Sequence, residues 1–188
     1  MIGDTDKATA NWNSYAKQTI EGSDITKKII PKIWASPNTA IGLAYGTAGY
    51  LYGSLTNQQV KVSIGNNAVQ FEGNTINPFG LSGAITLGNS INYVGGANPD
   101  SGKTLSYQYG YYTYEYGSSN KGNLPTYNDR IILGPHESQH TYQAEILGPL
   151  FLPTYFLSGG ISSKNWLEKD ADKAGNKAYI NWKKNENK

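Results

Sequence analysis

The stretch PHESQHTYQAEILGP, residues 135–149, contains both histidines of the 188-residue chain and sets them four residues apart. A helix turns about 100° per residue, which brings His136 and His140 to within about 40° of each other, so both imidazoles can reach one divalent ion. Glu137 lies beside the first histidine, where its carboxylate could take a proton from a water molecule at the ion. The pattern is H-E-x-x-H, and it predicts a metal site on a helix.

The residues that flank this motif favour a helix. Pro135 stands where the first turn of a helix tolerates proline, and Gly148 followed by Pro149 is a helix stop signal. The alternative interpretation is a pair of solvent-exposed histidines on an ordinary helix. A carboxylate further along the chain favours the metal site, because it can complete the set of ligands.

The third protein ligand must be Glu or Asp, because the chain has no third histidine. Two imidazoles and one carboxylate leave an open position for water, as in catalytic zinc sites. Glu145 is the nearest acid, but it lies about 140° around the helix from His140 and faces away. Glu168 is the better candidate, since it lies on a second predicted helix.

That second helix follows Ser162 and Ser163, either of which can cap it. Glu168 and Asp172 share one face of it, whereas Asp170 points elsewhere. Glu168 can therefore bind the metal while Asp172 accepts a hydrogen bond from a ligand histidine and fixes its tautomer. The alternative is a solvated charged face. Its basic members would be Lys164, Lys169, Lys173 and Lys177.

H-E-x-x-H followed by E-x-x-A-D at residues 168–172 resembles the gluzincin type of zinc metallopeptidase. The longer run HESQHTYQAEILGPLFLP, residues 136–153, is similar to metallopeptidase domains of bacterial polymorphic toxins and secretion-system effectors. In those domains a glutamine at the position of Gln143 and a continuation like Leu-Gly-Pro-Leu-Tyr-Leu-Pro recur. Residues 37–43 and 84–89 also resemble that family, so the resemblance spans about residues 37–175.

The chain departs from the family pattern at Ser138 and Gln139, where such domains often have a bulkier residue and then glycine. The ligand positions are intact, so the resemblance implies that Zn²⁺ is held by His136, His140 and Glu168. Glu137 would act as the general base. The resemblance implies that the enzyme hydrolyses an amide bond, either in a protein or in a peptidoglycan peptide.

The resemblance also implies a zincin-like α+β fold. We expect a single domain over residues 1–188, with a helical segment at 1–36 and a core at 37–175. The core would contain an antiparallel β-sheet, the motif helix and a following helix with the third ligand. One domain also agrees with the length, because a chain of this size can bury one sizeable core.

Delivery and partners follow from the same resemblance. The first ten residues include Asp4 and Asp6 and lead into no apolar stretch, so no signal peptide is predicted. An antibacterial effector of this kind would be secreted without one, for example by type VI secretion, into the cytoplasm or periplasm of a target cell. In the producer it would be cytoplasmic. The expected partners are a peptide or protein substrate, a secretion carrier and a cognate immunity protein.

Composition excludes several other classes of function. A net charge of +2 and the lack of a clustered basic groove argue against nucleic acid as a partner. The absence of cysteine excludes disulfides and thiol catalysis. Abundant Gly, Asn, Ser, Thr and Tyr are typical of loop-rich β structure.

The N-terminal region is predicted to be helical. Apolar spacing in residues 7–34 indicates one helix that ends at Gly22 and a second that stops before Pro31. The apolar face of these helices should pack on the core, although it could instead dock a carrier or chaperone.

Residues 41–55 are apolar and contain two G-x-x-x-G spacings. The segment is too short to cross a bilayer comfortably, so a tightly packed helix is favoured over membrane insertion.

After residue 60 apolar and polar residues alternate, which is the period-two pattern of a β-strand. Residues 60–72 predict a hairpin with its turn at 65–67, and residues 84–87 predict a strand that could pair with 91–94. In gluzincin-like folds one strand edge lies along the cleft and pairs with an extended substrate, but the sequence does not show which strand this would be. In residues 107–116 tyrosines alternate with other residues, which predicts a strand. The tyrosines would either pack against a neighbouring strand or form a sugar-binding surface.

The segments next to the motif complete the predictions. Residues 130–133 predict a short strand, and Arg130 could orient a substrate carboxylate or pair with Asp129. Residues 150–160 predict an apolar loop that could form one wall of a pocket. Within it, Tyr155 is a possible hydrogen-bond donor to an oxyanion.

Two other functions fit the sequence. One is a non-catalytic binding module, such as an adhesin or a carbohydrate-binding β domain that uses residues 107–116 and has a purely structural metal. The other is a cell-wall amidase or endopeptidase with the same zinc chemistry. An open coordination position favours the enzymes over the binding module.

Overall fold

The computed structural model of the chain describes residues 25–78, 80, 83–101, 131–162 and 164–186. Its elements are α1 (Ile25–Trp34), α2 (Ser36–Leu55), β1 (Lys61–Gly65), β2 (Ala68–Asn74), β3 (Gly83–Leu87), β4 (Ser90–Val94), α3 (Leu133–Leu147), a 3₁₀ turn (Gly148–Leu150), α4 (Phe151–Leu157) and α5 (Trp166–Glu186). The fold class is α+β, as predicted. The predicted helix before Gly22, the strand at 107–116 and the role of Arg130 fall outside the described residues.

Among the described residues the sheet has four strands in the order β1-β2-β4-β3, with β1 and β3 at its two ends. β1 pairs antiparallel with β2, and β3 pairs antiparallel with β4, but β2 and β4 run parallel. The prediction of an antiparallel sheet is therefore wrong at the centre, because the sheet is mixed. Alternating apolar residues specify each hairpin, but they do not specify how two hairpins join.

The turn residues explain why both hairpins form where the sequence predicts them. Asn66 and Asn67 have φ values of 49° and 62°. A two-residue type I′ turn requires positive φ at both positions, which Asn adopts more readily than most residues. Gly88, with a φ of 60°, turns β3 into β4. The predicted hairpin of residues 60–72 and the predicted pairing of 84–87 with 91–94 are confirmed.

Helix α2 lies on the sheet through a stripe of small residues. A Cβ added at Gly46 would come within 2.3 Å of the Phe71 ring, and one added at Gly49 within 2.0 Å of Asn74 Oδ1. The buried face of this helix consists of Asn38, Gly42, Gly46, Gly49 and Gly53. The predicted close packing is confirmed for this face alone, because Leu55 on the outer side is exposed. Within the described ranges, none of the helices combines the length and hydropathy that crossing a bilayer requires.

The predicted end of the first described helix is wrong. Helix α1 continues through Pro31 to Trp34. Proline lacks an N–H and usually breaks a helix, but its carbonyl can still accept a hydrogen bond. Here the Pro31 carbonyl accepts from the Ala35 N–H at 2.9 Å, which carries the chain directly into α2.

Two predictions next to the motif are also wrong. Residues 131–132 form no strand, and Leu133 is the first residue of α3. The N–H of Ile132 bonds to the Gly175 carbonyl of α5 at 3.1 Å, so this segment pairs with a helix rather than a strand. Residues 150–160 are mostly helical, since α4 occupies seven of them.

The cap of α5 differs from the prediction. Asn165 Oδ1 accepts the N–H of Leu167 at 3.0 Å, so Asn165 caps this helix. Ser162 instead accepts the N–H of Lys164 at 3.2 Å, and Ser163 lies outside the described residues. Asparagine is as good a cap as serine, and it stands directly before the first helical residue.

Helix α3 is held between strand β3 and helix α5. Leu133 at its beginning joins the apolar cluster of the sheet, which includes Ile91 and Tyr93. Ala144 near its end joins a second apolar cluster with Phe151 and Leu167. Apolar contacts therefore hold the helix at both ends, and the H-E-x-x-H motif lies between them.

Candidate metal centre

Helix α3 turns polar side chains toward the interior. His136, Glu137 and His140 are all buried, with at most 4% of each residue exposed. The two imidazole rings have centroids 5.0 Å apart and lie nearly perpendicular, at 80°. The predicted convergence of both histidines on one side of a helix is confirmed.

Helix α5 brings Glu168 to these histidines. Its carboxylate lies in the first turn of the helix and is buried. Oε2 is 3.4 Å from His136 Nε2, and Oε1 is 3.6 Å from His140 Nε2. The carboxylate thus faces the same nitrogen atom, Nε2, of both rings.

The three residues fit a metal ion. One ligand atom from each of His136, His140 and Glu168 lies within 4.8 Å of the other two. Tetrahedral zinc ligands at about 2.0–2.1 Å from the metal are about 3.3 Å apart, close to the observed carboxylate–imidazole separations. Among the described residues, His136 Nε2 and Glu168 Oε2 are buried without an aligned hydrogen-bond partner. Such atoms are costly to bury, and a cation between them would remove the cost.

The carboxylate of Asp172 lies next to His136. The distance from His136 Nδ1 to Asp172 Oδ1 is 3.0 Å. Neither atom has an aligned hydrogen-bond partner within the described residues, and at this distance a small rotation of the ring would align the pair. Asp172 therefore lies where the sequence places it, with Nε2 of the ring left for the metal.

His140 contacts a different side chain, that of Gln143. His140 Nδ1 and Gln143 Oε1 are 2.8 Å apart. The amide nitrogen of Gln143 donates to the Leu167 carbonyl and to Asp170 Oδ2, both at 3.0 Å. Sequence reasoning noted Gln143 only through the resemblance. Its position three residues after His140, on the same face, was the signal that could have indicated this contact.

Glu137 lies beside the ligands and contacts the sheet. Its Oε1 is 4.0 Å from His136 Nε2. Its Oε2 accepts a hydrogen bond from Thr86 Oγ1 of β3 at 2.6 Å. Sequence reasoning missed Thr86, because the pattern within a strand does not show which residue of another element it will touch.

Tyr155 of α4 also reaches the centre. Its hydroxyl donates to Glu168 Oε1, and its ring stands edge-on to His140 with centroids 6.0 Å apart. Burial and the charge of Glu168 raise the pKa of Tyr155, so its hydroxyl stays a donor. Its role toward an oxyanion stays a prediction.

The charges of the site are strongly coupled. Burial disfavours a charged His136, but the nearby carboxylates of Asp172 and Glu168 outweigh burial and raise its pKa. His140 follows the same balance, and Glu168 raises its pKa. Burial also opposes ionisation of Glu168, yet the two histidines hold its pKa well below the usual range. An ionised carboxylate at this depth needs positive charge nearby, which protons on the rings or a metal ion can supply.

Glu145 takes no part in this centre. Its Oε1 accepts hydrogen bonds from Lys32 Nζ at 2.8 Å, Asn67 Nδ2 at 2.9 Å and Asn89 Nδ2 at 2.8 Å. These contacts join α3 to α1 and to both hairpin turns. The prediction that Glu145 faces away from the histidines is confirmed.

Comparison of the chain with protein-family models, with curated proteins and with solved structures gave no match. The geometry of the described residues shows that His136, His140 and Glu168 form a group that could bind a metal ion.

Proposed function

We propose that this protein is a zinc-dependent hydrolase of amide bonds, a metallopeptidase of the gluzincin type with a zincin-like fold. The observation that carries the proposal is the buried group of His136, His140 and Glu168, whose ligand atoms lie within 4.8 Å of one another. A potential base, Glu137, lies directly beside it. Two imidazoles and one carboxylate suit zinc better than Ca²⁺ or Mg²⁺, which prefer oxygen ligands.

The residues around the centre have distinct tasks in this proposal. Zinc, when bound, would supply Lewis-acid chemistry, polarising the carbonyl of the scissile bond and lowering the pKa of water. Glu137 Oε1 accepts a proton from the attacking water and returns it to the nitrogen of the leaving amine. Thr86 holds Oε2 of the same carboxylate, so Oε1 stays turned toward the histidines.

Strand β3 is our candidate for the strand that binds substrate. Within the part of the chain that the structure describes, it lies at one end of the sheet, and it carries the hydroxyl that contacts Glu137. An edge strand has backbone groups free to pair with an extended peptide. A peptide bound along β3 would pass close to Glu137.

The test uses Glu137→Gln, which preserves the shape of the side chain and removes its basicity. Hydrolysis is measured on a quenched-fluorescence peptide library and on purified peptidoglycan fragments, with zinc content determined in parallel. We expect full zinc content and no hydrolysis. The control is Glu72→Gln, which removes a carboxylate paired with Lys61 on the sheet at 3.1 Å and should hydrolyse normally. Hydrolysis by Glu137→Gln at the wild-type rate would refute the proposal.

The biological role that we propose is that of an antibacterial effector or toxin. Its support is the resemblance of residues 136–153 to metallopeptidase domains of such proteins. Expression of the wild type should inhibit bacterial growth in either the cytoplasm or the periplasm, and Glu137→Gln should not. The sensitive compartment and the cleaved probe together separate a protease from a cell-wall endopeptidase. Equal growth of both strains in both compartments would contradict this role.

A further inference from the structure

We propose that Gln143 is a positioning residue that fixes the tautomer and orientation of His140, and that Asp170 holds Gln143 in place for this task. The inference deepens the proposed function, since it rests on the same metal centre. The two ligand histidines would then be oriented by unlike partners, a carboxylate for His136 and an amide for His140.

The orientation of the Gln143 amide follows from its surroundings. Its Nε2 lies 3.0 Å from both the Leu167 carbonyl and Asp170 Oδ2, which are acceptors only. The reverse orientation would turn the amide oxygen toward both acceptors and leave two repulsive contacts in a fully buried position. Oε1 therefore faces His140 Nδ1, at 2.8 Å.

This orientation determines the state of the ring. An amide oxygen can only accept a hydrogen bond, so Nδ1 of His140 must carry the proton. The lone pair of the neutral ring is then on Nε2, the atom that faces Glu168 at 3.6 Å. Gln143 thus prepares Nε2 to be the ligand atom before any metal arrives.

Asp170 links this arrangement to the second helix. Its Oδ2 accepts from Gln143 Nε2 at 3.0 Å and from Gln139 Nε2 at 2.6 Å. Asp170 is 2% exposed and Gln143 is fully buried. Because Asp170 lies on the same helix as Glu168, helix α5 supplies one ligand and also anchors the partner of another. Helical spacing places Asp170 and Glu168 on different faces of α5, yet both carboxylates contact α3.

The experiment compares two buried glutamines. Gln143→Met keeps the length of the side chain and removes both polar ends. Gln70→Met makes the same change in the sheet, where the hydrogen bonds of Gln70 are with Tyr93, Asn66 and Ser63. Zinc affinity is measured by competition with a chelator. We expect Gln143→Met to weaken zinc binding about 10-fold to 100-fold and Gln70→Met to leave it unchanged.

Asp170 supplies a second pair of variants. Asp170→Ala should weaken zinc binding in the same direction as Gln143→Met. Asp170→Asn retains an oxygen that can accept from Gln143, so it should restore most of the affinity. This pair also decides the question if Gln143→Met does not fold.

A second readout needs no metal and no substrate. The chain has only two histidines, so their ring nitrogens can be resolved by ¹⁵N NMR and assigned with a His136→Asn variant. In the metal-free wild type, at a pH high enough to leave the rings neutral, His140 should be protonated at Nδ1. In Gln143→Met it should become a mixture of the two tautomers, while in Gln70→Met it should not change.

The outcomes separate this inference from the proposed function. If the wild type hydrolyses no amide but the Gln143 and Asp170 variants lose zinc affinity as expected, the positioning role stands and the hydrolase proposal fails. If the wild type binds no zinc, the tautomer of His140 decides alone. Zinc affinity and ring tautomer in Gln143→Met that match those of Gln70→Met would overturn the inference, because a glutamine that serves only packing would give that result.

Discussion

Two helices flank the same sheet and bury opposite kinds of surface. Helix α2 has no charged residue in its 20 positions and meets the sheet with glycines. Helix α3 buries nine of its 15 residues, among them His136, Glu137, His140, Gln143 and Glu145. Close packing of a glycine face increases van der Waals contact and buries few polar side chains. Burial of charged side chains, in contrast, is costly unless each has a partner.

The difference indicates which helix serves the structure and which serves a site. Changes on the buried face of α2 should affect the stability of the fold and leave metal binding per folded molecule unchanged. Changes at the centre of α3 and in its contacts should affect metal binding or turnover more than folding.

The largest effect is expected at Gly49. Gly49→Leu forces a side chain into the space of Asn74, whose Oδ1 lies 2.0 Å from the position of an added Cβ. Asn74 is buried and accepts the N–H of Ile76 at 3.0 Å, so it cannot move without losing a hydrogen bond. We expect a loss of about 3 kcal/mol or more in the free energy of unfolding. Denaturant titration measures it.

The control for this prediction is Ala48→Leu, on the exposed face of the same helix. It should change stability by about 0.5 kcal/mol at most. Equal losses in both variants would show that the glycine face has no special role in packing.

The next prediction contrasts two buried glutamates. Glu168→Gln removes a charged ligand, so zinc affinity should fall by more than about 100-fold, beyond the usual effect of an orienting residue. Glu145→Gln instead weakens the contacts with Lys32, Asn67 and Asn89, so unfolding free energy should fall by about 1–3 kcal/mol with zinc affinity unchanged. Chelator competition and denaturant titration measure the two quantities. A loss of zinc affinity in Glu145→Gln alone would reverse our assignment.

The pH dependence of the metal-free protein should be moderate and has a definite sign. The pKa values of His136 and His140 are raised in the fold. Their stabilisation is complete below about pH 6.5, the ordinary value, and is lost as pH rises through the folded pKa. The pKa of Glu168 is lowered, so its stabilisation is present above about pH 4.3 and is lost as pH falls through the folded pKa.

Burial raises the pKa of Asp172, which adds a loss in the same direction as the histidines. The metal-free chain should therefore be most stable in mild acid and less stable in alkali. With excess zinc the alkaline loss should disappear, because the metal replaces the protons. Thermal unfolding across this pH range, with and without zinc, measures the effect. Identical profiles in both states would contradict a metal centre at these residues.

The smallest effect is expected at Thr86. Thr86→Val retains a β-branched residue in β3 and removes the hydrogen bond to Glu137. Turnover on a cleaved peptide should fall about 10-fold, with zinc affinity unchanged. Thr75→Val is the control, because the buried Thr75 hydroxyl has no hydrogen-bond partner among the described residues. Unchanged turnover in Thr86→Val would mean that Thr86 does not position the base.

The parts of the site that the sequence predicts correctly depend on local geometry. His136 and His140 converge because helical spacing places them on one side, and Glu168 and Asp172 share a face for the same reason. The ligand residues come together only because α3 and α5 meet. The resemblance suggested this contact, whereas the periodicity of the sequence could not indicate it. Thr86 contacts the site only through the packing of β3 on α3, so no pattern in the sequence indicates it.

The same limit applies to the fold. The two hairpins were predictable because Asn66, Asn67 and Gly88 satisfy specific backbone requirements. The parallel pairing of β2 with β4 was not, since strand order depends on contacts between hairpins. In α2, hydropathy alone would bury Leu51 and Leu55, but both are exposed, and the glycine spacing identifies the packed face instead.

The central claim is that His136, His140 and Glu168 bind one metal ion together. The most direct measurement is titration of the metal-free wild type and His140→Ala with zinc, followed by X-ray absorption at the zinc edge of the loaded protein. We predict one tightly bound zinc per wild-type chain, coordinated by two imidazoles and by oxygen, and loss of that binding in His140→Ala. Equal zinc binding by both proteins, or a zinc environment without imidazole, would contradict the account.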